Sequence, residues 1–155
     1  MALQDLYREV ILDHYKNPRN QGHLPSADAS AQGVNPLCGD EINIELGFDG
    51  DTVAGVAIDG QGCSISQASA SMMSEAIKGK SRAEIEEITS KFRAMMSLDE
   101  GEELTLDPDR PGALLGDIEA LHGVRQYPVR IKCASLSWTT LLEALKGETD
   151  ATVSI

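Results

Sequence analysis

The stretch Gly60-Gln61-Gly62-Cys63-Ser64-Ile65-Ser66 decides how this chain folds, because it joins a strand to a helix through two glycines. Ahead of it, Val53 to Ile58 is a strand-like apolar run. Behind it, Ile65, Ala68, Met72, Met73, Ala76 and Ile77 recur at helical spacing, which predicts a helix over Ile65 to Lys78 that Gly79 stops. Glycine accepts backbone angles that other residues avoid, so the turn can be sharp. Cys63 then sits at or just before a helix N-terminus. Unpaired N–H groups and the helix dipole there favour thiolate over thiol. A lone cysteine most often packs as a small hydrophobe. Two more, Cys38 and Cys133, point toward metal or sulfur chemistry.

Upstream, Asn35-Pro36-Leu37-Cys38-Gly39-Asp40 leads into Ile42, Ile44, Leu46 and Phe48, an alternating strand with Asn43 and Glu45 on its other face. Asp49-Gly50 is a hairpin-turn signal, and Val53 to Ile58 returns. Cys38 precedes the first strand of this hairpin and Cys63 follows the second, so antiparallel pairing brings the two together. Leu3, Leu6, Tyr7, Val10 and Ile11 share one face of a first helix, which Asn17-Pro18-Arg19-Asn20 ends. His14 falls in its last turn, where a cation or a C-cap hydrogen bond is a sufficient role. Gln21 to Leu37 reads as a loop with one short strand around Ala29 to Gly33.

Downstream, Ser81-Arg82-Ala83-Glu84 is a capping box that opens a helix carrying Ile85, Ile88, Phe92, Met95 and Met96. Leu98 to Pro111 is an acidic, solvated loop. Leu114, Leu115, Ile118 and Leu121 predict one short helix, ended by Gly123. Pro128 predicts an extended approach, with a helix starting at Cys133 and running through Leu136, Ser137, Thr140, Leu141, Ala144 and Leu145. Trp138 lies off that stripe, toward another helix. Glu148 to Ile155 reads as a frayed tail.

Asp40 lies two residues from Cys38, so in an extended segment both side chains point the same way. With Cys63 and Cys133 they make a donor set of three thiolates and one carboxylate. Zinc fits such a tetrahedron, and iron–sulfur clusters also take thiolate ligands. A carboxylate is a harder, more weakly held ligand, which suits a site that opens. Spacing alone leaves three unrelated cysteines as an equal alternative. Arg130 and Lys132 flank Cys133, as cations for thiolates, a persulfide or an acidic partner, or as a solvated end. The serines of the central helix read as small-residue packing. With only His14, His23 and His122, no Ser-His-Asp grouping emerges, and no phosphate-binding glycine motif occurs.

The 155 residues suffice for one domain, taken as 1–155. Hydrophobic residues make up 41% but aromatics only 4%, so the core is expected to be aliphatic and rich in Met. A net charge of -12 repels phosphate backbones and anionic lipid, which argues against nucleic-acid and membrane partners. The opening Met1-Ala2-Leu3-Gln4-Asp5 lacks the basic and apolar regions of a signal peptide, so a cytoplasmic protein is expected. Three cysteines in a reducing compartment favour metal or thiol chemistry over disulfides.

These motifs together resemble the U-type iron–sulfur assembly proteins, the IscU and NifU N-terminal family, and within it the SufU branch. The resemblance runs from Leu6 to about Leu145 and includes Tyr7 to Asn20, Asn35 to Asp40, Gly60 to Ser66 and Arg130 to Ala134. It implies an α+β fold, a small, mostly antiparallel three-stranded sheet packed against about five helices. It also implies one metal shared by Cys38, Asp40, Cys63 and Cys133. IscU-type scaffolds carry His before the third cysteine, where this chain has Lys132, and a Leu-Pro-Pro-Val-Lys motif where it has Gln126 to Arg130. Both departures, and an acidic insertion at about 98–117, resemble SufU. The SufU likeness implies a zinc-bound acceptor that takes persulfide sulfur from a cysteine desulfurase, SufS-like, and passes it to a SufBCD-like assembly complex. Cys38 is the expected acceptor and Arg130 an anion stabiliser. Two other roles stay open. One is a scaffold building a transient [2Fe–2S] cluster on the same four ligands. The other is a structural zinc module that activates the desulfurase by binding.

Overall fold

The computed structural model describes residues 3–96, 98, 106, 107, 109, 110, 112–149 and 151–155, and the side chains from residue 7 onward. The elements run α1 (Leu3–Lys16), β1 (Ala29–Asn35), β2 (Asp40–Asp49), β3 (Thr52–Gln61), α2 (Ser64–Ile77), α3 (Arg82–Met95), a 3-10 helix (Gly116–Gln126), α4 (Pro128–Ala144) and β4 (Ala151–Ser154). This is an α+β fold. Leu3 and Leu6 of the predicted helix face lie outside the described side chains, and 99–105, 108 and 111 of the acidic stretch at 98–117 lie outside the described residues.

The predicted hairpin is β2 and β3, antiparallel from Glu41 opposite Gln61 to Asp49 opposite Thr52, with a bulge at Gly47/Phe48. β1 adds antiparallel to β2. The sheet has four strands among the described residues, in the order β3-β2-β1-β4. The predicted sheet had three. The fourth strand comes from the segment predicted to fray: β4 pairs parallel with β1, Ala31 opposite Ala151 to Val34 opposite Ser154.

Alternation buries Ala29, Ala31, Ile42, Ile44 and Leu46 on one face of the sheet, against the helices. Helix α4 crosses β1 so closely that a side chain at Gly33 would run into Thr140 and Leu136. The capping box is formed, with the Ser81 hydroxyl accepting from the Glu84 N–H and the Glu84 carboxylate from the Ser81 N–H. Trp138 stacks on Phe92 with ring centroids 4.7 Å apart, and its Nε1–H donates to Ser69 Oγ at 3.1 Å. Ser69 Oγ also donates to the Ala134 carbonyl at 2.6 Å, so this buried hydroxyl is partnered on both sides.

Three local expectations are corrected. Helix α4 begins at Pro128, five residues before Cys133. Proline at the first helical position lacks only an N–H that has no intrahelical partner, and its φ is already helical. The apolar run after Leu114 forms a 3-10 helix that passes through Gly123 to Gln126. His14 is no simple helix cap. It is 1% exposed, with Nδ1 2.8 Å from Ser71 Oγ and Nε2 2.8 Å from Asp117, so it ties α1 to α2 and to the 3-10 helix.

Candidate metal centre

The Asn35 carbonyl, at the end of β1, accepts the N–H groups of Cys38 at 3.2 Å and Gly39 at 2.9 Å. Gly39 has φ +69°, so residues 36–39 form a tight turn that glycine permits. Asp40 then opens β2 directly opposite Asn35. The turn leaves Cys38 exposed and Asp40 fully buried. This replaces the extended Cys38–Asp40 segment expected from their spacing. The two groups converge because the chain reverses between them.

The glycine pair closes the other side. Gly62 has φ +151° and lies against Asp40, where a β-carbon would overlap Asp40 Oδ1. That bare backbone lets the Cys63 N–H donate to Asp40 Oδ1 at 2.9 Å. Cys63 is the N-cap of α2, as expected, and its Sγ accepts from the Ser66 N–H at 3.5 Å. Cys133 arrives from the second turn of α4, so its position owes nothing to a helix terminus. Its Sγ lies 3.7 Å from Cys38 Sγ.

Cys38, Asp40 and Cys133 offer ligand atoms within 4.8 Å of one another. Cys63 stands outside that mutual set and borders it, bonded to Asp40 through its N–H and coupled electrostatically to Cys133. Burial pushes the Cys133 thiol well up, aided by the neighbouring Asp40, Cys63 and Cys38. Arg130 is exposed at the rim, and Cys63 first, then Cys133, hold its guanidinium further above its ordinary range. Lys132, also exposed, lines a notch with Asn35, Leu37 and Cys38.

The donor set fits a divalent metal. Asp40 Oδ2 is buried and lacks a hydrogen-bond partner, and an anionic oxygen is rarely left so. Soft thiolates beside one carboxylate oxygen are a zinc donor set. Sequence reasoning passed over Asn35, whose side chain is 1% exposed with both amide atoms unpartnered. The alternation Ala29, Ala31, Gly33, Asn35 already put it on the buried face.

Residues 6–134 match the family model described as the NifU-like N terminal domain. The chain belongs to the NifU-like N-terminal domain family. It is 47% identical over 146 residues to the zinc-dependent sulfurtransferase SufU of Bacillus subtilis, covering 94% of this chain and 93% of that one. It is 40% identical over 149 residues to the iron–sulfur cluster assembly scaffold protein IscU of Streptococcus pyogenes, covering 96% and 88%. Among solved structures, a putative iron–sulfur cluster assembly scaffold protein for the SUF system from Fervidobacterium islandicum superposes with a TM-score of 0.79. It is 36% identical, covering 93% of this chain and 99% of that one. Among the described residues no helix is long and apolar enough to cross a membrane.

Proposed function

We propose that this NifU-like chain is a sulfur acceptor in iron–sulfur cluster assembly, working in the cytoplasm. Cys38 takes sulfur from the persulfide of a cysteine desulfurase and yields it to a SufBCD-like assembly complex. Cys38, Asp40, Cys63 and Cys133 are the residues that would hold zinc. When bound, zinc keeps thiols as thiolates at neutral pH and adds to folding stability.

One observation carries the role of Cys38. It is the exposed member of the cluster, on a tight turn, whereas Cys63 is half-buried and Cys133 buried. A partner's reactive loop can reach it without unfolding a helix. Its thiolate attacks the outer sulfur of the partner's persulfide. The partner's S–S bond breaks, its cysteine leaves as thiolate, and a new S–S bond forms on Cys38. Arg130 offsets the negative charge that gathers around Cys63 and Cys133 as the anionic donor approaches. The identity to a sulfurtransferase across nearly the whole chain supports this reading.

The test is sulfur acceptance by Cys38→Ala, with a cysteine desulfurase and cysteine. The variant is expected to carry no persulfide, and one that still accepts sulfur overturns the assignment. The scaffold identity of the Streptococcus relative favours a second reading, in which a [2Fe–2S] cluster is cargo on the same four residues. Reconstitution of a cluster that then passes to an apo-ferredoxin supports that reading. Stimulation of the desulfurase by a folded variant lacking all three cysteines supports activation by docking alone.

A further inference from the structure

Four buried side-chain atoms lack a hydrogen-bond partner among the described residues, and three of them belong to one pair: Asn35 Nδ2 and Oδ1, and Asp40 Oδ2. Buried polar atoms are nearly always paired, so three orphans in one place call for one explanation. Asn35 closes β1, Asp40 opens β2, and the register sets them directly opposite each other. Opposed residues of antiparallel strands point to the same face, with β-carbons about 4.5–5.5 Å apart. That face is the buried one, with Asn35 1% exposed and Asp40 0%. The turn between them carries Cys38 and is tied to the Asn35 carbonyl. Asp40 Oδ1 already accepts from the Cys63 N–H. An amide donor and a carboxylate acceptor are thus neighbours, both buried and both unpaired.

We propose that Asn35 is a positioning residue of the metal centre: when Asp40 holds the metal, the Asn35 amide N–H donates to the Asp40 carboxylate and fixes its direction. The proposal rests on the reading of Asp40 as a metal ligand. A carboxylate oxygen has two lone pairs, so Oδ2 can serve a metal and one N–H donor together. Carboxylates that bind metals are themselves hydrogen-bonded as a rule. Of the two ends of the amide, only the NH2 attracts an anion. Rotation about the side-chain bonds brings the groups together and leaves the strand register as it is. The Cys63 N–H holds Oδ1 from one side, and Asn35 then holds Oδ2 from the other. This matters most while Cys38 is engaged with sulfur, when the metal is left to Asp40, Cys63 and Cys133. The carboxylate is the weakest of those three ligands, and one held at both oxygens keeps its place.

The experiment measures zinc affinity of the whole chain by competition with a chromophoric chelator, in wild type, Asn35→Leu, Asn35→Ala, Asp40→Ala and the two double variants. Each Asn35 substitution is expected to weaken zinc about tenfold in the wild-type background, the usual effect of removing such a supporting hydrogen bond. In the Asp40→Ala background it is expected to change nothing, because the amide acts through the carboxylate. Leucine fills the volume of the amide and alanine does not, so a loss common to both is the loss of the N–H and not of packing. A loss of stability common to both backgrounds cancels in the comparison. Equal weakening in the two backgrounds assigns Asn35 to shaping the Cys38 turn and overturns the proposal. Wild-type affinity in both Asn35 variants overturns it as well and leaves Asp40 as a ligand. Wild-type affinity in Asp40→Ala overturns the ligand reading of Asp40 and the positioning role with it.

Discussion

The sulfur of Cys133 lies 3.7 Å from that of Cys38, across 95 positions of sequence. One comes from a β-turn and the other from the second turn of a helix. Thiols held this close need only a small shift to reach the roughly 2.05 Å of a disulfide. Metal-free protein treated with diamide is therefore expected to form a Cys38–Cys133 disulfide. Peptide mass mapping without reduction checks this. Metal-loaded protein should resist, because the thiolates are committed. A Cys38–Cys63 product would contradict the geometry.

Asp40 is fully buried, with Oδ1 accepting from Cys63 and Oδ2 unpartnered. Asp40→Asn keeps an acceptor for the Cys63 N–H and removes a buried charge. Two opposite effects follow. The metal-free variant should melt higher than metal-free wild type, by the order of 1 kcal/mol. Its zinc affinity should fall by about tenfold or more. Calorimetry and chelator competition measure the two separately.

Gly62 has φ +151° and sits against Asp40, with no room for a β-carbon. Gly62→Ala is expected to destabilise by about 1–3 kcal/mol through backbone strain and to lower the metal retained on purification. Gly50, with φ +61° and open space around it, shares the backbone demand without the neighbour. Gly50→Ala should therefore destabilise without loss of metal.

His23 Nδ1 lies 2.5 Å from Glu45 Oε2 on the surface of the sheet. The hydrogen bond to Glu45 raises the His23 pKa above its ordinary 6.5, and the same bond lowers that of Glu45 below 4.5. For the histidine the contribution to stability is complete below pH 6.5 and is lost as pH rises through the raised value. For Glu45 the contribution is present above pH 4.5 and is lost as pH falls through the lowered value. Melting curves should show a small decline above neutrality that His23→Gln removes. An unchanged decline in the variant would assign it to other groups.

Much of this was legible in the sequence because it is local. The alternation from Ile42 to Phe48, the Asp49-Gly50 turn and the glycines around Cys63 each fix their own few residues, and together they bring Cys63 to Asp40. The capping box at Ser81 is equally self-contained. The unread parts are those decided at a distance. Strand β4 is four residues long and forms only because Ala31 to Val34 offer an edge to Ala151 to Ser154. The start of α4 turned on Pro128, which suits a first helical position as well as an extended one. His14 bonds to Ser71 and Asp117, which sequence spacing does not connect. Nothing in the spacing of Asn35 from the cysteines marks its amide, which only the pairing of β1 with β2 buries.

The central claim is that Cys38 receives the sulfur. The most direct measurement is a single turnover of a cysteine desulfurase with sulfur-labelled cysteine, followed by alkylation and peptide mapping of this chain. The account predicts label on the peptide bearing Cys38, released by reductant. Label confined to Cys63 or Cys133, or none on a chain that still accelerates the desulfurase, would contradict it.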